Sequence, residues 1–301
     1  MGDARWIDYW VVDVYTHEPF RGNPAGVVLD AGDLDSSRRA AVARELGGWE
    51  TAFVLPPSYP DADLAIRWYT ANCELPFSVH ATLAALHVLT ESGRYSEPTQ
   101  LAVETLSGLR AAWLTYHEGE MRPFVQVPLP QLETAPLARE AVCEALLVSR
   151  EVLAEELPLA QDGMSLLVPF RRRASLFELS PDLRKLSRLG LEADITSFIC
   201  FSDEPDDEGS QWHIRYFAPG LGIAEDPVTG TAHAAVGAYL LAHGRLPASG
   251  AEVTCWGAQG DCLERHGRVQ LHLALNAQHQ PAQARIGGTA VTVLCGRLRV
   301  E

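Results

Sequence analysis

Apolar and polar positions alternate through Ala65-Ile66-Arg67-Trp68-Tyr69, the period-two pattern of a strand with one face turned to a core. The β-branched and aromatic run Trp10-Val11-Val12-Asp13-Val14-Tyr15 predicts an earlier strand. It ends near Pro19 and the turn-like Gly22-Asn23-Pro24, and Ala25 to Asp30 predicts a second. Asp33-Leu34-Asp35 opens a stretch through Leu46 whose Asp and Ser residues suit a helix start, with Gly47-Gly48 to end it. Thr51-Ala52-Phe53-Val54-Leu55, closed by Pro56-Pro57, predicts a further strand. Helical spacing then appears in Val79, Leu83, Leu86 and Leu89, and again in an Ala-rich segment with Val236, Tyr239 and Leu240. Both are expected to be largely buried helices, each the core of its own domain. Short strands with few helices between them predict a mixed α+β protein, not a regular parallel repeat.

The chain also repeats itself. Ile66-Arg67-Trp68-Tyr69 is echoed by Ile214-Arg215-Tyr216-Phe217, and an offset of 151 pairs Glu74 with Glu225, Pro76 with Pro227, Ala84 with Ala235 and Gly93 with Gly244. Two copies of one strand-loop-helix unit explain this most simply. Gln131 to Ala160, with acidic and proline-rich pieces, suits a crossover between domains, and the Asp203 to Glu208 run reads as a solvated loop.

Composition narrows the function. Of 301 residues, 47% are hydrophobic and 21% charged, which describes an ordinary globular protein, and the length allows about two domains. A net charge of −15 argues against nucleic acid and anionic membrane surfaces as partners, because both demand clustered Lys and Arg. No apolar run approaches the roughly 20 residues of a spanning helix. Met1-Gly2-Asp3-Ala4-Arg5 leads into no apolar core, so the expected location is cytoplasmic. Cys73, Cys143, Cys200, Cys255, Cys262 and Cys295 contain no CxxC pair and signal neither zinc nor a disulfide framework.

Candidate chemistry gathers at the starts of the two predicted helices, where Ser78 and His80 answer Thr229, Gly230 and Thr231. Helix N-termini carry unpaired N–H donors and partial positive charge, so two such ends in an interdomain cleft would cradle a small carboxylate. For either hydroxyl alone, ordinary capping is the simpler reading.

Asn23-Pro24, Trp49-Glu50-Thr51-Ala52-Phe53-Val54, Glu74-Leu75-Pro76-Phe77-Ser78-Val79-His80-Ala81-Thr82 and Glu225-Asp226-Pro227-Val228-Thr229-Gly230-Thr231-Ala232 resemble the motifs of the phenazine-biosynthesis PhzF-like isomerases. The ending Ile286 to Val293, followed by Gly296-Arg297-Leu298, extends the likeness over nearly the whole chain. The resemblance implies the diaminopimelate-epimerase-like fold: two similar domains, each a curled, mostly antiparallel sheet around a central helix. The first is expected over residues 1–120 plus 285–301, with Glu50 and His80, and the second over 121–284, with Asp226 and Thr231.

The resemblance further implies a cofactor-independent isomerase with Glu50 as general acid/base on a small carboxylate-bearing metabolite. Asn23, Ser78, His80, Asp226, Thr229, Gly230 and Thr231 would contact that substrate, with no metal, and a homodimer is compatible with it. Related epimerases place two facing cysteines where Ser78 and Thr229 stand, so a two-thiol mechanism is not expected. Two departures from the family pattern are Val79, in place of glycine, and Trp49, whose bulk would withdraw Glu50 from water. His87, His233 and His243 lack metal-ligand spacing and read as structural or exposed. Gly287-Gly288 reads as a turn. A dehydratase or epimerase pairing Glu50 with Ser78 or Thr229, and a non-catalytic binding protein, remain as alternatives.

Overall fold

The computed structural model describes residues 4–47, 49–117, 119–247 and 250–301, so the helix terminator expected at Gly48 and the opening Met1-Gly2-Asp3 lie outside the described residues. Two compact units divide the chain, residues 1–127 with 286–301 and residues 128–285.

In the first unit the elements are β1 (Trp6–Val14), β2 (Asn23–Val28), α1 (Ser36–Glu45), β3 (Thr51–Leu55), β4 (Leu64–Tyr69), β5 (Glu74–Leu75), α2 (Val79–Glu91), β6 (Thr99–Thr105), β7 (Gly108–His117) and β8 (Glu120–Val127). The second holds β9 (Leu132–Thr134), α3 (Arg139–Leu146), β10 (Ala160–Asp162), β11 (Ser165–Pro169), α4 (Arg173–Phe177), α5 (Leu183–Ala193), β12 (Ser197–Ser202), β13 (Trp212–Ala218), β14 (Ile223–Asp226), α6 (Gly230–Ala242), β15 (Glu252–Gln259) and β16 (Gly267–Leu275). β17 (Pro281–Gly287) then leads to β18 (Ala290–Arg299), which returns to pair with β1.

The expected boundary at residue 120 differs from the observed one because β8 zips antiparallel onto β7 from Glu120 to Val125, so its residues belong with the first sheet. Asn23 and Pro24 are not turn residues: they pair with Val14 and Asp13 as the start of β2, and the reversal falls just before them, at Gly22 with φ +59°. Gly287 is likewise the last residue of β17, and its missing side chain admits the Phe124 ring, which a Cβ would meet at 2.2 Å.

The internal repeat is carried into three dimensions within each unit. β2–β3 and β4–β6 pair in parallel and β3–β4 antiparallel. β11–β12, β13–β15 and β12–β13 follow the same pattern. α2 and α6 are both 13 residues long, start after Ser78 and Thr229, and end at Gly93 and Gly244 with φ +75° and +67°. In both, the next N–H (Arg94, Arg245) returns to a carbonyl five residues earlier (Leu89, Leu240), a helix ending that needs the left-handed glycine. Nine residues of α2 and eleven of α6 are buried, so each is a core element wrapped by its sheet and not an amphipathic surface helix. The observed architecture is thus the expected α+β fold with curled sheets and few helices.

Candidate active site

Glu50 sits immediately before β3, and its backbone is held by the Gly26 N–H, which donates to the Glu50 carbonyl at 2.9 Å. Gly26 is required there, since a Cβ would approach Thr51 Oγ1 to 2.7 Å. The Glu50 side chain keeps 30% of its exposure, yet its Oε2 is fully buried and has no hydrogen-bond partner among the described residues. Oε2 lies 3.8 Å from His80 Nε2, on the first turn of α2. Ser78, the N-cap of α2, accepts the Ala81 N–H at 3.3 Å, the ordinary capping role. Val79 is buried and packs in the core of the unit. Trp49 is 39% exposed, and the buried carboxylate oxygen faces His80.

In the second unit the helix start is built differently. Thr229 makes no side-chain cap; its hydroxyl donates to Asp226 Oδ2, so the expected capping by Thr229 does not occur. Gly230 is buried at the first position of α6 and Thr231 is exposed beside it. Asn23 is buried, with its backbone in the β1–β2 ladder.

Repeat-related charges brace both starts. Arg215 forms a bidentate pair with Glu225 (2.9 and 2.8 Å) and donates to the carbonyls of Leu176, Phe177 and Leu179. Its counterpart Arg67 stands 4.0 Å from Glu74 but gives its best bond, 2.7 Å, to Glu104. Burial alone would raise the Glu104 carboxyl. The Arg67 guanidinium and the N–H groups of Tyr59 and Ser58 overcome it and hold the pKa at about 2.

The acidic run from Asp203 is not merely solvated. Asp203 bonds Arg245 at 2.6 Å, and Asp206 is nearly buried against His213 and Arg268. His233 is fully buried, His87 stands 3.9 Å from Glu91, and His243 stacks on Tyr239 at 4.1 Å. No cluster of three or more potential metal ligands occurs among the described residues, all six cysteines are free, and Cys73 lies exposed beside Thr70. A cavity of about 460 Å³ lined by Asp30, Leu89, Arg94 and Tyr95 sits at the far end of α2 from His80, and its only cation is neutralised by Asp30. No helix among the described residues is long and apolar enough to cross a membrane.

The α+β fold with curled sheets is shared with PhzF-family and epimerase structures, and the relatives are isomerases, so the chain is an isomerase of the epimerase-like fold class. The family model for the phenazine biosynthesis-like proteins (PhzC-PhzF) matches residues 12–296, and the chain belongs to that family. It is 33% identical over 296 residues to the uncharacterized isomerase YddE of Escherichia coli K12, covering 96% of this chain and 97% of that one. Among solved structures, a Bacillus anthracis PhzF-family phenazine biosynthesis protein superposes with a TM-score of 0.89 at 28% identity, covering 98% of this chain and 99% of that one. A hydroxyproline epimerase from Agrobacterium vitis, with trans-4-hydroxy-L-proline bound, shares the fold at a TM-score of 0.61 and 15% identity, covering 99% and 94%.

Sequence reasoning missed Gln259, whose buried amide bonds Thr229 N and the Asp226 carbonyl, each at 2.9 Å. Its only signal was a polar residue ahead of Gly260, which names no role.

Proposed function

We propose that the chain catalyses a proton-transfer isomerisation of a small carboxylate-bearing metabolite, with Glu50 as the general acid/base. The carrying observation is the fully buried, unpartnered Oε2 of Glu50 placed 3.8 Å from His80 Nε2. A carboxylate oxygen with no hydrogen bond to the protein is free to take a proton from an activated carbon. His80 then orients the substrate and balances charge beside it. The other proposed substrate contacts are Asn23, Ser78, Asp226, Thr229, Gly230 and Thr231. The substrate carboxylate is read at a helix start, where backbone donors favour anions. Glu50 takes a proton from one carbon and returns it to another, which calls on no group beyond the chain's own side chains.

The dehydratase or epimerase alternative, in which Glu50 works with Ser78 or Thr229, is disfavoured by the hydroxyls' engagements: Ser78 caps α2 and Thr229 donates to Asp226. The test is solvent deuterium wash-in. The protein is incubated in deuterated buffer with a panel of cyclic and unsaturated carboxylic acids and of amino acids, and carbon-bound deuterium and new isomers are read by NMR. Incorporation that requires Glu50 supports the reading. Incorporation undiminished in Glu50→Gln overturns it.

A further inference from the structure

Gln259 is 1% exposed, and both ends of its amide are committed. Oε1 accepts the Thr229 N–H at 2.9 Å, while Nε2 donates to the Asp226 carbonyl at 2.9 Å and to Thr229 Oγ1 at 3.3 Å. One neighbour can only donate and another can only accept, so the amide has one allowed orientation. The Thr229 hydroxyl proton is spent on Asp226 Oδ2, so Thr229 Oγ1 is the acceptor toward Gln259. Every proton from Gln259 to the Asp226 carboxylate therefore has a fixed direction.

Behind Gln259 stands His233, fully buried on α6. Trp212 Nε1, which can only donate, lies 3.0 Å from His233 Nδ1. Nδ1 is thus the acceptor, and the neutral ring carries its proton on Nε2. That nitrogen is buried and makes no hydrogen bond among the described residues, so the ring is held through Trp212 alone. Gly257 makes room for the pair, since a Cβ would meet His233 Nδ1 and Trp212 Nε1 at 2.3 Å each.

The internal repeat supplies a control. Leu64 stands where Trp212 does, Thr82 where His233 does, and Thr105 where Gln259 does, by the shared register of Leu64 on Val103 and Trp212 on Gly257. The first unit fills the same positions without any such chain: Thr82 Oγ1 donates back to the Ser78 carbonyl and Thr105 Oγ1 to the Gly108 carbonyl. The buried bonds of Gln259 to Thr229 and Asp226 are thus present in one copy only.

We infer that Gln259 and Thr229, with the His233 ring that Trp212 orients buried near them, form a positioning relay that fixes the Asp226 carboxylate for the substrate, with Gln259 as the positioning residue. The positioning role rests on the reading of Asp226 as a substrate-binding residue; the relay itself does not.

The relay is tested on the full chain without substrate. Nitrogen-15 histidine spectra should show His233 as the Nε2–H tautomer, not titrating between pH 9 and pH 5, and Gln259→Leu should speed hydrogen exchange at the Thr229 amide. An Nδ1–H tautomer, or unchanged exchange in Gln259→Leu, overturns the relay. In the deuterium wash-in assay, Gln259→Leu should lower turnover by about a hundredfold, the scale of a small misplacement of reacting groups. Gln259→Glu should be impaired at neutral pH and recover as pH falls, because a protonated carboxyl reproduces the donor and acceptor of the amide. A Gln259→Leu protein that opens at Thr229 yet turns over like the wild type, or a Gln259→Glu protein whose pH profile matches it, overturns the positioning role. If the wild type labels no acid, the functional reading fails instead, and the relay is still decided by the tautomer and the Thr229 amide.

Discussion

Ser197 occupies in the second unit the strand position that Glu50 occupies in the first. Glu50 precedes Thr51, which pairs with Tyr69, and Ser197 precedes Phe198, which pairs with Phe217, the residue equivalent to Tyr69. The two copies therefore differ at this position, a carboxylate in the first and a hydroxyl in the second. The Ser197 hydroxyl is instead tied to Ser165 at 2.7 Å.

Glu50→Gln should abolish most turnover in the wash-in assay, by about a hundredfold to ten-thousandfold, the usual worth of a general acid/base. The melting temperature should scarcely move, because Oε2 makes no hydrogen bond that the amide would lose. Ser197→Glu should not rescue it, since the second copy lacks a counterpart of His80: Thr231 stands at that position.

Cys73→Ala should retain full activity, and alkylation of the native protein should act, if at all, through bulk near β5. Cys73 is exposed beside Thr70, and Ala224 takes its place in the second copy, so no symmetric thiol couple exists. A folded but inactive Cys73→Ala protein would point to thiol chemistry.

Much of this was legible in the sequence. The offset of 151 placed both helix starts and both terminating glycines, because helix ends depend on local residues such as Ser78, Gly93 and Gly244. Thr51 to Leu55 was bounded by its own composition. What local pattern does not contain is long-range pairing. Gln259 reaches Thr229 across 30 residues and Trp212 reaches His233 across 21, and nothing near any of them marks the contact. The Asp203 to Glu208 run read as solvated because its partners, His213, Arg245 and Arg268, lie on separate elements. Family resemblance marked Glu50 and His80, but their 3.8 Å approach is a product of the fold.

Glu104→Ala should destabilise the protein by about 3–5 kcal/mol, the cost of stranding a buried charge. Glu104 is 2% exposed and accepts from Arg67, Tyr59 N–H and the Ser58 N–H and hydroxyl, so its removal leaves Arg67 without its best partner. Denaturant unfolding gives the value directly, and a loss below about 1 kcal/mol would show the site to be solvated.

Acid should weaken the fold in two ranges, beginning with His233. Burial, opposed by the Gln259 side chain and reinforced by the nearby charges of His213 and Arg268, pushes the His233 pKa down from 6.5 to about 3. The unfolded chain therefore binds a proton below pH 6.5 that the folded chain refuses, and the difference favours unfolding. Its contribution is absent above pH 6.5 and grows as pH falls toward about 3. Glu104 works with the same sign lower down: its folded pKa of about 2 lies below the ordinary 4.5, so the stability it gives is complete above 4.5 and drains away as pH falls toward about 2. Chemical denaturation at a series of pH values should thus show free energy declining already between pH 6.5 and pH 5, before most carboxylates titrate. His233→Gln should flatten that upper segment and leave the lower one, whereas Glu104→Gln should flatten the lower one alone. A wild-type curve level down to pH 5, or an upper segment unchanged in a folded His233→Gln protein, would mean that His233 takes up its proton without leaving the core.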